Sequence, residues 1–375
     1  MLRPEFFRRI GHLYFTPKRD MIILRKDVDG INLREIAEQT GVSTASVSLV
    51  LNGKAGVSTS LRERLSHILT QEGYSVKPFH GEMSAGATAV GTKRKIQLIK
   101  YKRNGYFVER NGDYISKVID GAENAAREHG YSIGIVNADQ DNLEQIFEQL
   151  NGDPELSGVL FLGPEFYASE SAKLEILRCP IVIVDARLED KSYDSVSIDE
   201  QMGVGSAIRH LHDLGHRRIL YLSSAIKGEE CLARDRAFDI AVRQLQLTRT
   251  DITYLEALPD ADDSYRVMMQ ALEKPLQATA VFASNDMMAI GVLRALNEKK
   301  LRVPEDVSLV GVDDLSISSA LTPPLTTVAI GKYEIGYLSV CRLIERRKKE
   351  TPFGIKTLVG TQLMVRQSTG PANIE

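Results

Sequence analysis

The hydrophobic positions of residues 31–53, INLREIAEQTGVSTASVSLVLNG, predict two short helices joined by a tight turn. Gly41 is expected to end the first helix, because glycine adopts the left-handed conformation there without a Cβ clash. Ser43 follows as the N-cap of the second helix, where its side chain can accept a hydrogen bond from a backbone N–H group. The positions predicted to be buried are Leu33, Ile36 and Ala37 in the first helix and Val47, Val50 and Leu51 in the second. The small and polar residues of the second helix are left on its outer faces.

A third amphipathic helix is predicted to begin at Ser58 and to end at Gly73. Its predicted inner face is Leu61, Leu65, Ile68 and Leu69. Two helices at this spacing, packed on a third, are typical of the helix-turn-helix, which places its second helix in the major groove of DNA. A small helical subdomain without DNA-binding activity is the alternative, since capped amphipathic helices are common.

From residue 96 onward, apolar strands alternate with amphipathic helices, after a Gly-, Ser-, Ala- and Thr-rich segment that predicts a linker. The predicted strands cover 96–101, 131–138, 158–163, 181–186, 196–199, 218–224, 279–286 and 307–314. Strands rich in Val, Ile and Leu that are separated by helices predict parallel sheets covered on both faces. About 275 residues exceed what one such core usually holds, so two lobes are expected.

Polar side chains stand at the carboxyl ends of several predicted strands, namely Asp185, Asn285, Asp286, Asp313 and Asp314. Ligands of doubly wound folds bind in the crevice that these strand ends face. The functional interpretation is that several of these side chains accept hydrogen bonds from the hydroxyl groups of a small ligand. Helix capping is the alternative, because Asp and Asn are favoured at N-caps in any case.

The charged residues are unevenly distributed along the chain. Residues 1–95 carry 15 Lys and Arg against 9 Asp and Glu, and the remaining residues carry 32 against 41. A basic amino-terminal part suits a protein that presents this end to DNA phosphates. The three cysteines are far apart in sequence, which favours a reducing compartment over a disulfide framework. With neither a signal peptide nor an apolar stretch of membrane-spanning length in the sequence, we predict a cytoplasmic protein with no membrane partner.

Two motifs resemble catalytic or metal sites but are interpreted as structural. Gly203-Val204-Gly205 begins like a dinucleotide fingerprint, yet Ile208 occupies the third glycine position. The run HLHDLGH (210–216) spaces two histidines on one helix face, but no third ligand is evident and a packing role is favoured. A nucleophile with a base in plausible register is also missing from the sequence. We therefore predict that the protein is not an enzyme, and we predict neither a cofactor nor a metal.

From about Ile31 to Thr369 the chain resembles the LacI family of transcriptional regulators. The resemblance lies in LREIAEQTGVSTASVSLVLNG, VSTSLRERLSHILTQEGY, HLHDLGHRRILYLSS, AVFASNDMMAIGVLRALNEKKLRVPEDVSLVGVDD and LTPPLTTV. It implies a periplasmic-binding-protein-like effector domain of two doubly wound parallel-sheet lobes behind the all-α helix-turn-helix domain. It further implies a homodimer that binds a near-palindromic operator and responds to a small molecule, often a sugar. The linker departs from the family pattern, because it lacks the short Ala-Arg-x-Leu hinge helix.

On the resemblance, the DNA-reading residues carry over position by position. Thr44, Ala45 and Leu49 occupy base-facing positions at the start of the recognition helix and one turn later. The positions that place the module on the phosphates are Asn32, Ser43, Ser46, Ser48, Asn52 and Ser58. None of the base-facing residues is Arg, Gln or Asn, the side chains that read bases bidentately. Recognition is therefore expected to rely on methyl contacts with thymine, the Thr44 hydroxyl and DNA shape.

The effector-binding residues carry over in the same way. Arg234 matches an arginine that contacts effector hydroxyls from the second lobe, and Asn285 and Asp313 match further contacts. Asp185 matches a contact from the first lobe. A guanidinium that faces carboxylates and an amide suits a polyol, because each hydroxyl both donates and accepts.

The predicted organisation has four parts. Residues 1–30 are a flexible extension, 31–77 the helix-turn-helix domain, 78–95 a linker with an atypical hinge, and 96–371 the effector-binding and dimerisation domain. Its first lobe takes about 96–196 and 330–352, and its second about 197–329 and 353–371. We predict a sequence-specific regulator, a repressor, whose operator affinity is controlled by a carbohydrate effector. The alternatives are a solute-binding protein and an α/β enzyme with an appended helical domain.

Overall fold

The computed structural model describes residues 33–54, 57, 59–72, 74, 76, 94–188, 192–349 and 351–373. The chain divides into two compact units, Met1–Val90 and Gly91–Glu375. The predicted extension 1–30 and nearly all of the predicted linker lie outside the described residues. The same holds for Asn32 and Ser58.

The first unit contains the three predicted helices, α1 (Leu33–Thr40), α2 (Thr44–Leu51) and α3 (Thr59–Gln71). Gly41 has a φ angle of +71°, and the N–H group of Val42 donates to the carbonyl of Ala37, so the chain turns after α1 as predicted. The small core has six buried side chains, Ile36, Ala37, Val47, Val50, Leu65 and Leu69. Leu33, Leu51, Leu61 and Ile68 pack against it in partly buried positions. The predicted apolar faces of all three helices are confirmed.

The second unit consists of two six-stranded sheets with helices between their strands. The first sheet has the order β11-β5-β4-β3-β1-β2, and the second has the order β12-β10-β9-β8-β6-β7. All neighbouring strands are parallel except β10 and β12. The strands of the first sheet are β1 (Lys95–Tyr101), β2 (Ser132–Ala138), β3 (Leu156–Leu162), β4 (Ile181–Val184), β5 (Asp194–Ile198) and β11 (Lys356–Val359). Those of the second are β6 (Ile219–Ser224), β7 (Ile252–Ala257), β8 (Ala280–Ala283), β9 (Ser308–Asp313), β10 (Thr326–Ile330) and β12 (Thr361–Met364).

Helices cover the sheets and place side chains at the ends of the strands. They are α4 (Gly112–Glu128), α5 (Leu143–Asn151), α6 (Glu200–Asp213), α7 (Glu229–Gln244), α8 (Ala261–Ala271), α9 (Asp286–Glu298) and α10 (Lys332–Lys348). Helices α4 and α10 lie very close together, because a Cβ atom at Gly121 or Gly336 would overlap a backbone carbonyl of the other helix. Both helices pack on the first sheet, α4 against β2 and α10 against β3, β4 and β5.

The chain crosses between the two lobes three times, and all three crossings come later than the predicted boundaries. Strand β5 continues to Ile198, so the first crossing comes at Asp199 rather than after residue 196. The middle crossing follows Ile330, the last residue of β10, so residue 330 belongs to the second lobe. Strand β11 pairs with β5, so residues 353–359 belong with the first lobe and the last crossing comes at Gly360. Short edge strands such as β11 and β12 bury few side chains, and their hydrophobic pattern is correspondingly weak.

Within the described part of the chain, no helix combines the length and the hydropathy that crossing a membrane requires.

Candidate functional site

The outer face of α2 presents the predicted DNA-reading residues. Thr44, Ala45, Ser48 and Asn52 are exposed, and Leu49 is half-buried. The sequence of α2, TASVSLVL, contains no charged residue. The face is thus small, polar and methyl-bearing, as predicted.

Ser43 and Asn52 have structural roles at the two ends of α2. The Ser43 hydroxyl accepts a hydrogen bond from the N–H group of Ser46 at 3.1 Å, which confirms the predicted N-cap. The Asn52 side-chain amide donates to the carbonyl of Ser48 at 3.0 Å, at the helix C-terminus. Both side chains remain exposed, so these bonds fix the ends of α2 without covering its outer face.

The four predicted effector residues line a single cavity between the two lobes. Asp185 follows β4 in the first lobe, whereas Arg234 comes from α7, Asn285 from the end of β8 and Asp313 from the end of β9. The remaining lining residues are Phe107, Asn111, Tyr114, Pro164, Ile198, Glu230, Cys231 and Ile330. The cavity has a volume of about 40 Å³. Since a water molecule needs roughly 10–15 Å³ on this measure, there is room for a few waters and not for a sugar.

Arg234 is held by a buried ion pair with Glu200, the first residue of α6. Its Nε donates to one Glu200 oxygen at 2.9 Å and its Nη2 to the other at 2.5 Å, and its Nη1 donates to the carbonyl of Ser284. Burial opposes the guanidinium charge, but the Glu200 carboxylate outweighs it and raises the pKa of Arg234 well above its usual value. An arginine has five N–H donors. Two of them therefore remain for a ligand.

Asp185 and Asp313 both combine a buried carboxyl with an unusual backbone conformation. Their φ angles are 56° and 111°, in the left-handed region that non-glycine residues rarely adopt. Burial raises the pKa of each carboxyl to about 7, although the nearby Arg234 charge lowers it. Strained backbone of this kind concentrates at ligand sites.

Glu200 and Glu230 were not predicted, and both lie at this site. Glu230 lines the cavity with 5 % of its surface exposed, and neither of its carboxylate oxygens has a hydrogen-bond partner in the described structure. Burial, together with repulsion from Asp185 and Glu200, raises the pKa of Glu230 well above its usual value. In sequence, both glutamates sit in the first turn of a helix, where acidic residues are common because of the helix dipole. No local signal distinguishes them from such residues.

Of the other strand-end residues, some support the fold rather than the cavity. Asn285 does both, since its Oδ1 caps α9 by accepting from the N–H group of Met288 at 2.8 Å. Asp286 accepts hydrogen bonds from Ser318, Thr327 and Leu315 and does not line the cavity. The capping alternative is thus correct for the side-chain oxygen of Asn285, which caps α9. Asp286 has a structural role.

Polar contacts between the lobes close the cleft around the cavity. Asp113 of α4 accepts from the Ser316 hydroxyl of the second lobe at 2.6 Å, and Glu229 of α7 accepts from the first-lobe N–H group of Ala168 at 3.1 Å. Near the latter contact, a Cβ atom at Gly228 would overlap the carbonyl oxygen of Pro164. Only glycine at position 228 therefore permits the two lobes to approach each other this closely.

His216 of the histidine run and Gly203 of the glycine pair occupy packing positions. His216 is buried and contacts the hydroxyls of Thr279 at 2.8 Å and Ser308 at 3.0 Å, which confirms its predicted packing role. A Cβ atom at Gly203 would come within 3.0 Å of Val328 and Thr361, so this glycine permits close packing of α6 on the second sheet.

Comparison with known proteins places these two units together in one family. The family model for bacterial regulatory proteins of the lacI family matches residues 32–76, and that for a periplasmic binding protein-like domain matches residues 208–369. The chain belongs to the LacI family. The first match spans α1 to α3, and the second contains Arg234, Asn285 and Asp313.

The LacI-family relatives match over nearly their whole length. The HTH-type transcriptional repressor PurR of Pasteurella multocida is 27% identical over 340 residues, which cover 90% of this chain and 98% of the relative. The ribose operon repressor of Escherichia coli K12 is 27% identical over 327 residues, covering 85% and 94%. The solved structure of the regulator CelR with cellobiose is 25% identical, has a TM-score of 0.65, and is matched over 99% of its chain and 90% of this one. The protein is accordingly a DNA-binding regulator and not an enzyme.

Proposed function

We propose that this protein is a repressor that binds a near-palindromic operator as a homodimer. Its affinity for the operator is controlled by a carbohydrate that binds between the two lobes. The observation that carries the proposal is the convergence of Asp185, Arg234, Asn285 and Asp313 on one cavity. These residues are far apart in sequence, and two lobes contribute them. The outer face of α2, in the other unit, stays exposed and carries the predicted base-reading residues.

The chemistry of the cavity suits a polyhydroxylated ligand. Arg234 offers its two remaining N–H donors, Asn285 offers its amide N–H groups, and the carboxyls of Asp185 and Asp313 accept. A hydroxyl group both donates and accepts, so a sugar can satisfy such mixed partners at once. One relative is a repressor of a ribose operon and a similar solved structure is a regulator in complex with cellobiose, which supports a carbohydrate here.

Effector entry requires the lobes to separate, because the closed cavity is too small for a sugar. We infer that the protein exchanges between an open and a closed cleft, and that the effector shifts this equilibrium by binding one state better. The contacts of Asp113 with Ser316 and of Glu229 with Ala168 stabilise the closed state. Lobe closure then alters how the two DNA-binding units of a dimer are presented to the operator.

At the DNA, Thr44, Ala45 and Leu49 are proposed to contact base edges. Ser43, Ser46, Ser48 and Asn52, with Asn32 and Ser58, are proposed to lie along the phosphates. Since α2 has no charged side chain, thymine methyl contacts and DNA shape supply the specificity. Because the relatives are bacterial transcription repressors and a repressor must reach its DNA, we place the protein in the cytoplasm.

Selection of bound duplexes from a random pool by the purified full chain tests the proposal. We expect two related half-sites, and we expect one sugar of a panel to change the amount of DNA bound. Ligand binding without any preference among duplexes would favour a solute-binding protein, and turnover of a nucleotide would favour an enzyme.

Substitutions at Thr44 then separate two modes of base contact. Thr44→Ser removes the methyl group and Thr44→Val removes the hydroxyl, so the variant that loses affinity for the selected duplex identifies the contact. A lost contact worth about 1–3 kcal/mol corresponds to at least a fivefold loss. Thr70→Val, at an exposed position of α3, is the matched control. Equal affinities for all three variants and the wild type would refute the role of Thr44.

A further inference from the structure

The cavity between the lobes contains more acidic groups than its arginine can neutralise. Three carboxyl groups line it, those of Asp185, Glu230 and Asp313, and Glu200 lies directly behind Arg234. The single lining arginine, Arg234, uses three donors on Glu200 and on a backbone carbonyl. The three lining carboxyls therefore form no ion pair with any described residue.

Glu230 and Asp185 are, in addition, short of hydrogen bonds. Each has 5 % of its surface exposed. Both carboxylate oxygens of Glu230 and one of Asp185 are buried without a partner among the described residues. The hydroxyl of Tyr114 lies near Asp185 and lowers the pKa of that carboxyl against the rise that burial causes, but the two side chains form no hydrogen bond of good geometry. A buried acceptor left without a donor costs free energy, and an ion costs more, so the Glu230 oxygens in particular require a donor that the described residues do not supply.

The surrounding cations do not remove this deficit. The guanidinium of Arg187, on the loop after Asp185, lowers the pKa of Glu230 from a distance but forms no ion pair with it. Lys332, the cation near Asp313, already donates to Asp113 at 3.2 Å and to the carbonyl of Asp314 at 2.9 Å. Asp313 itself receives a single long hydrogen bond, from the side-chain amide of Asn111 at 3.4 Å.

We propose that the effector is a polyol that carries a protonated amine, and that Glu230 and Asp185 bind its ammonium group while Arg234 and Asn285 bind its hydroxyls. This inference rests on the proposed function and specifies the class of ligand at the same site. An ammonium has three N–H donors and no acceptor, which matches a pair of carboxylates that offer only acceptors. One cation placed between the two also removes their mutual repulsion, which a neutral hydroxyl does not.

A neutral hydroxyl donates a hydrogen bond but carries no charge, so it leaves the repulsion between ionised carboxyls at Asp185 and Glu230 in place. Burial raises the pKa of Asp185 and of Asp313 to about 7, and burial together with the neighbouring carboxyls raises that of Glu230 well above its usual value. Facing Glu230 are the carboxyls of Asp185 and Glu200 and the guanidiniums of Arg187 and Arg234. Binding of an amine therefore favours release of protons from these carboxyls, and its affinity rises as the pH rises from 6 to 7.5.

Matched pairs of amino and neutral sugars provide the test. The full chain is titrated by calorimetry with glucosamine and glucose, galactosamine and galactose, and mannosamine and mannose. We expect at least one amino sugar to bind at least tenfold more tightly than its hydroxyl counterpart at pH 7.5. Glu230→Gln should reduce this preference to less than threefold. Glu148→Gln, at an exposed position on α5, should leave it unchanged.

The pH profile of wild-type binding is a second measurement that needs no variant. Amino-sugar affinity that falls or stays constant between pH 6 and 7.5 would overturn the inference. So would a neutral hexose that binds as tightly as its amine, or the failure of every amino sugar of the panel to bind. A neutral hexose that alters DNA binding overturns this inference but leaves the proposed function standing. A wild-type protein without preference among duplexes overturns the proposed function whatever it binds in the cleft.

Discussion

The buried ion pair of Arg234 and Glu200 permits a quantitative test of how the cleft is built. The two side chains are 7% and 3% exposed and are joined by two hydrogen bonds. Arg234→Met removes both bonds and leaves the Glu200 carboxylate buried and unpaired. Removal of one partner of such a pair costs about 3–5 kcal/mol, because the remaining charge has lost its compensation. Replacing both residues, with Glu200→Leu as the second change, should recover most of this loss.

Thermal unfolding followed by circular dichroism measures the effect. For a domain of this size, 1 kcal/mol shifts the Tm by about 2 °C, so Arg234→Met should lower the Tm of the effector domain by about 6–10 °C. The exposed pair of Arg294 and Asp262 supplies the control, since Arg294→Met should cost less than about 1 kcal/mol. Operator binding without effector should persist in Arg234→Met at temperatures where it is folded, and the response to effector should be lost.

The double variant decides whether this reasoning holds. If the ion pair accounts for the loss, the two single effects exceed the double effect by roughly 3 kcal/mol or more. Effects that add to within about 0.5 kcal/mol would mean that the residues are energetically independent, and the proposed coupling would be refuted. A response to effector that survives in Arg234→Met would separately refute the binding role of Arg234.

Three further predictions concern the α2 cap, the buried aspartates and the closure of the lobes. Ser43→Ala should destabilise the helical unit by about 1 kcal/mol, because it removes the N-cap of α2. Ser43→Asp should keep the cap but weaken DNA retardation, because it adds a negative charge beside the phosphates. Equal DNA affinities of Ser43→Asp and the wild type would contradict this prediction. Burial raises the pKa of Asp185 and Asp313 to about 7, so the folded protein binds more protons than the unfolded chain between about pH 4 and 7, and its stability should fall as pH rises through that window. The Asn variants of both should flatten the slope of unfolding free energy against pH, and an unchanged slope would count against the assignment. Gly228→Ala should hinder lobe closure and weaken effector binding at least tenfold in calorimetry. Gly205→Ala is the control and should have no effect, because a Cβ atom at this position meets open space. Similar effector affinities of the two variants would argue against closure at the Gly228 contact.

The helix-turn-helix could be predicted almost completely from the sequence because its determinants are local. The glycine at 41 and the serine at 43 determine a turn within a few residues, and the apolar stripe that includes Ile36 and Val47 is read at helical spacing. Each determinant acts through backbone conformation or through a side chain of the same short segment. The structure consequently has the helices where the pattern predicts them.

The cleft could be predicted only in part, because its residues act through long-range packing. Asp185 and Asp313 follow apolar strands, and the carboxyl ends of parallel strands meet at one edge, so their convergence could be expected. Glu200 and Glu230 carry no such signal. They come together because α6 packs beside α7, and both helices must be placed before Glu200 is seen to hold Arg234 and Glu230 to line the cavity. The edge strand β11 was missed for a related reason, since only its partner β5 identifies its lobe.

Several features of the cleft are unfavourable for the folded state of the effector domain. Left-handed backbone at a non-glycine residue costs about 1–3 kcal/mol, and the domain contains it at Asp185 and Asp313, which also carry buried carboxyls. Glu230 adds two buried carboxylate oxygens that accept no hydrogen bond from any described residue. The well-packed sheets must offset these costs, because packing alone gives no reason to keep three unpaired acids in one small cavity. A ligand that supplies the missing donors to the closed state recovers part of this free energy. On the proposed function, this deficit is therefore what lets a small molecule shift the balance between the open and the closed arrangement of the lobes.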